Sequence, residues 1–130
     1  MEYRPQIIAS DLEGLQVVSA ACSSGKVRVA DIKYLLSNKV FLLSIERTKI
    51  ETDQEDRLVN SILRFNNVHN VKSKNIDQNN KELQIELMAI DYLKNKSDYE
   101  INLMFENNAH ISLVVEALEI LLEDQNEIER

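Results

Sequence analysis

The C-terminal sequence HISLVVEALEILLEDQNEIER, from His110 to Arg130, changes its apolar spacing part of the way along. Apolar and polar residues alternate in it up to Val115, as they do along a half-buried strand. From Glu116 onward the apolar positions follow helical spacing instead. These positions are Ala117, Leu118, Leu121 and Leu122. The pattern therefore predicts a strand that runs directly into a C-terminal helix, which begins within a residue or two of Glu116.

The segment before this strand alternates as well. Its apolar face carries Tyr99, Ile101, Leu103 and Phe105. The apolar face of the following strand, which starts near His110, carries Ile111, Leu113 and Val115. Directly opposed residues of an antiparallel pair share a face, so both sets point inward only if the connecting loop has an odd number of residues. A two-residue turn at Asn107 and Asn108 is excluded. We predict a three-residue loop with one Asn in the left-handed conformation, which places His110 on the outer face.

The N-terminal region predicts a helix in SDLEGLQVVSAACSSG, from Ser10 to Gly25. Ser10 and Glu13 have the spacing of a capping box, and Gly25 follows the last periodic residue as a stop signal. One side of this helix is apolar and should lie on the rest of the fold. That side carries Leu12, Leu15, Val18 and Cys22.

The middle of the chain alternates with the period of strands. Strands are predicted at about residues 30–36, 40–48, 58–65 and 68–73. The first two should form a hairpin with Phe41, Leu43 and Ile45 facing inward. A further run around Leu87 to Ile90 is apolar at successive positions, which predicts a central strand buried on both faces.

Together these elements predict a single α+β domain over residues 1–130, with an ordered core at about residues 10–125 and a frayed tail at 126–130. About seven antiparallel strands are flanked by an N-terminal helix and a C-terminal capping helix, an order similar to that of pleckstrin-homology-like domains. The alternative is an open antiparallel sheet packed by two helices. In both, Leu118, Leu121 and Leu122 cover the apolar face of the sheet.

Several segments also carry a family resemblance. They are DLEGLQVVSAA, DIKYLLSNKVFLLSIERTKIE, SILRFNNVHNVKSKNID, LMAIDY and HISLVVEALEILLED, spread over about Ser10 to Asp124. In this order they resemble an uncharacterised bacterial family, domain of unknown function 2948. The resemblance implies a stand-alone cytoplasmic domain of this length, and it implies no activity or site. A cytoplasmic location is also expected because MEYRPQIIAS lacks an export signal and VFLLSI is too short to span a membrane.

The chain shows few signs of catalytic or metal chemistry. His69 and His110 lack the short ligand spacings of metal sites, and the acidic segment Glu51 to Asp56 lacks the glycine of a calcium loop, so it is expected to be a solvated loop. Cys22 is alone and lies on an apolar helix face, where a free cysteine is usually a small buried side chain. With 2 Gly, the sequence has no phosphate-binding loop. No catalytic, cofactor-binding or metal residues are predicted, and catalysis is unsupported rather than excluded.

The net charge of −7 is unevenly distributed. Acidic residues dominate after Glu106, whereas Arg57 to Ile76 contains cations and no Asp or Glu. We predict a non-catalytic binding or adaptor domain for a protein partner, and nucleic acid is disfavoured because the chain as a whole is acidic. The predicted contact residues are Glu116, Glu119, Glu123 and Asp124, of which the last three line the outer side of the predicted helix, and Arg64, Lys72 and Lys74.

Two alternative functions remain open at this point. One is a small enzyme that uses scattered carboxylates with His110 or His69. The other is a homodimer in which the acidic end of one copy meets the basic segment of another. Ile120 and Ile128 lie off the apolar stripe of the predicted helix, which suggests that a partner or a second copy covers them.

Overall fold

The computed structural model describes residues 6–49 and 57–127 of the chain. Within these ranges the chain forms ten strands and one α-helix. In chain order they are β1 (Gln6–Ala9), α1 (Leu12–Cys22), β2 (Lys26–Arg28), β3 (Ile32–Leu35), β4 (Val40–Lys49), β5 (Arg57–Phe65), β6 (Val68–Lys74), β7 (Gln84–Lys94), β8 (Tyr99–Phe105), β9 (His110–Val115) and β10 (Ile120–Glu127). The predicted loop Glu51 to Asp56 lies outside the described residues, and so does Ile128.

All ten strands form one antiparallel sheet in the order β1-β10-β5-β4-β2-β7-β8-β9-β6, and β3 pairs with β4. The sheet curves so strongly that β6 returns beside the start of β4. There the Val68 amide donates to the Lys39 carbonyl at 2.8 Å, and the Tyr34 hydroxyl donates to the Val68 carbonyl at 3.1 Å. The concave side, called the inner side below, holds the apolar core and α1.

The predicted C-terminal helix is wrong, because Ile120–Glu127 form strand β10. Ile120, Leu122 and Asp124 face inward and are at most 7% exposed, so burial in this segment has a period of two. The strand pairs with β1 on one side and β5 on the other, and these backbone hydrogen bonds outweigh a local apolar spacing that suits a helix. Ile120 lies in the core and is not covered by a partner.

Because β10 replaces the predicted C-terminal helix, the predicted fold class must be corrected too. An α+β domain with about seven strands and two helices is wrong, and so are the pleckstrin-homology-like capping helix and the alternative that packs two helices on the sheet. Within the described residues, one helix lies on a ten-stranded antiparallel sheet. Asp124, predicted on the outer side of a helix, is a buried residue on the inner side of the sheet.

Helix α1 is present where it is predicted, with different ends. Asp11, not Ser10, is the N-cap, and its Oδ1 accepts a hydrogen bond from the Gly14 amide at 2.8 Å. After the helix, Ser24 adopts the left-handed conformation (φ 67°), one residue before the predicted stop signal Gly25. Gly25 is needed for space instead, because a Cβ there would lie 2.5 Å from Cδ1 of Ile45. Leu15, Val18 and Cys22 are buried, whereas Leu12 is exposed.

The β8–β9 hairpin confirms the predicted parity. Leu103 pairs with Ile111 and both are buried, and the Phe105 amide donates to the Ala109 carbonyl across a three-residue loop, Glu106–Asn108. Both asparagines of the loop, rather than one, are left-handed, with φ of 60° and 61°. His110 lies on the outer face, as predicted, and is opposite Met104.

Strand β7 differs from the predicted two-sided central strand. Its pairing with β8 shifts register between Leu87 and Ala89, so Met88 is an extra residue in a β-bulge and is exposed. Because the bulge changes the alternation by one residue, Leu87 and Ile90 both face inward. In the predicted hairpin of β3 and β4, Phe41, Leu43 and Ile45 are buried, which confirms their inward orientation.

Candidate functional site

The acidic residues predicted as a contact surface are distributed over different environments. Glu116, after β9, forms an exposed ion pair with Lys39 at 3.4 Å. Glu119 accepts hydrogen bonds from the side-chain amides of Asn66 at 2.9 Å and Asn67 at 3.4 Å. Glu119 therefore holds the connection from β9 to β10 against the turn between β5 and β6, and Glu116 links the same connection to the turn between β3 and β4.

Asp124 belongs to a polar cluster on the inner side of the sheet. Its Oδ1 accepts hydrogen bonds from Nη2 of Arg47 and from the Ser61 hydroxyl, both at 2.7 Å, and Lys49 lies 3.4 Å from its Oδ2. Burial would raise the pKa of Asp124, but the hydrogen bonds from Ser61 and Arg47 and the charges of Arg47 and Lys49 outweigh it and lower that pKa below its usual value. The cluster therefore carries an ionised carboxylate and joins β10 to β4 and β5.

Glu123 and Arg64 lie on the outer face of the sheet, on the neighbouring strands β10 and β5. Nε of Arg64 donates to Oδ1 of Asn66 at 2.8 Å. Lys72 and Lys74 are exposed on β6, which is far from β5 in the strand order. The structure thus brings Glu123 and Arg64 together, and it separates both from Lys72 and Lys74.

A cavity of about 230 Å³ lies between β3 and β6, and no sequence pattern indicated it. Its apolar wall consists of Val29, Ile32, Tyr34, Phe41, Val71, Ile76 and Ile111, and its polar lining residues are Ser73, Gln78 and Lys81. The Tyr34 hydroxyl links β3 to β6 at Val68, and the cavity lies beside this contact, lined by Ile32 of β3 and Val71 of β6. It depends on the curvature of the whole sheet, so the alternation of single strands gives no signal for it.

Within residues 6–49 and 57–127, each of the two strands that flank this cavity has an unpaired edge. In the described chain, β6 pairs with β9 alone and β3 with β4 alone, and no backbone hydrogen bonds join β3 to β6. An edge strand presents a row of amide and carbonyl groups that can pair with another chain. The cavity and these edges form the candidate binding site.

The histidines and the cysteine are not assembled into a reactive group. His69 and His110 lie at opposite ends of the β6–β9 pair, and His69 is 3.8 Å from Asp98. The His110 ring and the Ser112 hydroxyl both hydrogen-bond to Oδ1 of Asn102, so neither activates the other.

Burial raises the pKa of the Cys22 thiol to about 12, which keeps it protonated and unreactive. Among residues 6–49 and 57–127, no three His, Cys, Asp or Glu side chains are grouped as metal ligands. None of the helical segments described is both long and apolar enough to cross a membrane.

Comparison with known protein families identifies a family to which the chain is similar. The family model described as Protein of unknown function (DUF2948) matches residues 6–129. No curated protein and no solved structure matches the chain. Because the family model spans nearly the whole sequence, the chain belongs to the DUF2948 family.

Proposed function

We propose that this protein is a non-catalytic binding domain for another protein, and that it binds an extended segment of that partner beside β6. The observation that carries the proposal is the apolar cavity between β3 and β6, two strand edges that no backbone hydrogen bonds join. Extended peptides commonly bind folded domains by adding a strand to an exposed edge, with pockets that take alternate side chains.

The size of the cavity favours a side chain of a protein partner, rather than a free small molecule, as its occupant. Small-molecule sites are usually about 300–1,000 Å³, and this cavity is about 230 Å³. A single large apolar side chain in a desolvated pocket is the usual anchor of a protein interface. Ile32, Val71 and Ile111 supply the apolar contacts that such an anchor requires.

The charges around the cavity favour an acidic partner segment. Lys72 and Lys74 are exposed on the outer side of β6, where the residues next to an inward anchor in an added strand would also point, and Lys81 lies at the cavity. The chain as a whole carries a net charge of −7, so this concentration of cations is local. Acidic residues on either side of the apolar anchor would be attracted to the lysines, mainly raising the association rate and the specificity. Of the contact residues expected from the sequence, Lys72 and Lys74 are the two that this site includes.

The experiment is selection from a display library of short random peptides, followed by fluorescence anisotropy with the enriched peptides. We expect the enriched sequences to share one large apolar residue flanked by Asp or Glu. The test variant is Val71→Phe, which fills the cavity. The matched control is Val114→Phe, a half-buried valine on the outer side of the neighbouring strand β9.

Val71→Phe should weaken peptide binding by about tenfold or more, which corresponds to a loss of about 1.4 kcal/mol, while Val114→Phe should keep wild-type affinity. Thermal melting of both variants checks that each is folded. The proposal is wrong if no peptide is enriched, or if the folded Val71→Phe variant binds the enriched peptides as tightly as wild type does.

A further inference from the structure

The outer face of β4, β5, β10 and β1 carries an apolar patch. Ile8 is 70% exposed, and Leu42, Ile62 and Leu121 are half-buried by their neighbours in the sheet. These four residues are called the outer patch. Helix α1 packs on the inner side, where Leu15, Val18 and Cys22 join the core, so it does not cover this face.

Two opposite charges lie next to residues of the outer patch, on the same face of the sheet. Arg64 on β5 is paired with Leu121 on β10, and two residues along, Ile62 is paired with Glu123. Paired residues share a face, so these four side chains form the corners of a rectangle. Its sides are about 4.8 Å across the strands and about 6.6 Å along them. The two charges lie on one diagonal and the two apolar residues on the other.

We propose that the outer patch binds the same patch on a second copy of the chain. A two-fold axis along the Leu121–Ile62 diagonal places each apolar residue against its own counterpart. The same axis places Arg64 of each copy near Glu123 of the other, so the rectangle is complementary to itself, as an isologous contact requires. A partner with a different surface would have to match both charges and both apolar positions independently.

Both charged groups are available for such a contact. In the described part of the chain, the Glu123 carboxylate has no hydrogen-bond or ion-pair partner, whereas those of Glu116, Glu119 and Asp124 each have at least one. Arg64 uses its Nε toward Asn66, and no bond within residues 6–49 and 57–127 engages its two terminal nitrogens. Those nitrogens can therefore bind the partner's carboxylate.

The size of the patch indicates a weak, reversible dimer. The four strands are about 19 Å across, and three rows of outward residues extend about 20 Å, which gives about 380 Å² per copy. A standard stable interface buries about 800 Å² per partner. Association should therefore depend on protein concentration and weaken at high salt, because exposed ion pairs contribute to it.

The test is sedimentation equilibrium of wild type, Arg64→Glu, Glu123→Arg, the double variant, and an equimolar mixture of the two single variants. Each single reversal places like charges opposite each other and should weaken self-association about tenfold or more. The double variant restores opposite charges, and the mixture should form a heterodimer with the same pairing. Melting curves establish that each variant is folded.

The proposal is overturned by a wild type that stays monomeric at every concentration, by single reversals that leave the dimer unchanged, or by a mixture that does not associate. The cavity site between β3 and β6 does not include these residues. Monomeric variants should therefore bind the peptides selected for that site with wild-type affinity, and the two proposals can fail separately.

Discussion

Asp124 and Glu116 are both acids of the C-terminal region, and each forms an ion pair, but their surroundings differ. The Asp124 side chain is 9% exposed and lies 2.7 Å from Arg47. The Glu116 side chain is 59% exposed and lies 3.4 Å from Lys39. An acidic segment in the sequence therefore contains two kinds of carboxylate, one that supports the fold and one that is exposed to solvent.

Burial decides how much each pair contributes to stability. Removal of one partner from a buried pair leaves the other charge without compensation in a medium of low dielectric constant. An exposed pair gains little from attraction, because water and salt screen it and both side chains lose conformational freedom. The difference between the two acids can be tested by three experiments.

The largest effect is expected from Asp124→Ala. This change leaves Arg47 buried without its carboxylate and removes the hydrogen-bond acceptor of Ser61. The free energy of unfolding should fall by about 3–5 kcal/mol. Urea denaturation monitored by circular dichroism measures it, with Asp77→Ala on an exposed turn as the control. A loss below about 1 kcal/mol would show that the cluster does not stabilise the fold.

The second-largest effect is expected in the dependence of the free energy of unfolding on pH. Since the pKa of Asp124 is lower in the folded state than in the unfolded state, its stabilisation is fully present above the unfolded value of about 3.9. It is lost as the pH falls through the lower folded-state pKa. The Asp124→Asn variant lacks this contribution. Its free energy of unfolding should therefore decrease less than that of wild type between about pH 5 and pH 2. Parallel stability curves for the two proteins in this range would contradict the assignment.

The smallest effect is expected from Glu116→Ala. The pair with Lys39 is exposed on both sides, so its loss should change the free energy of unfolding by about 0–1 kcal/mol. Lys39→Ala and the double variant complete a double-mutant cycle, which isolates the pair from other effects of each substitution. A coupling energy above about 2 kcal/mol would contradict the expected difference in stabilisation between this exposed pair and the buried pair of Asp124.

The sequence predicted the parts of the fold that depend on local geometry. The parity of the β8–β9 hairpin follows from the positions of Leu103 and Ile111 alone, and the loop contains asparagines that tolerate the left-handed conformation. The apolar side of α1 was also predicted, because it follows from the spacing of apolar residues along the chain. The cap was not, since Asp11 rather than Ser10 caps the helix.

The parts that depend on distant partners were not predicted. From Leu118 into β10, the spacing of Leu118, Leu121 and Leu122 suits a helix, and only the pairing with β1 and β5 makes Ile120–Glu127 a strand. The candidate sites also depend on contacts between residues that are distant in the sequence. The cavity requires β6 to return toward β3, and the rectangle of Arg64 and Glu123 requires the register of β5 with β10.

The place of β10 between β1 and β5 has a consequence for synthesis on the ribosome. When the chain has emerged only as far as β9, β1 lacks its pairing strand and β5 has one open edge. Arg47 also lacks Asp124, which lies 77 residues later in the chain. Such long-range contacts form late. The nascent protein therefore completes its sheet only after residues 120–127 have left the exit tunnel, and until then its open strand edges are exposed to aggregation and to chaperones.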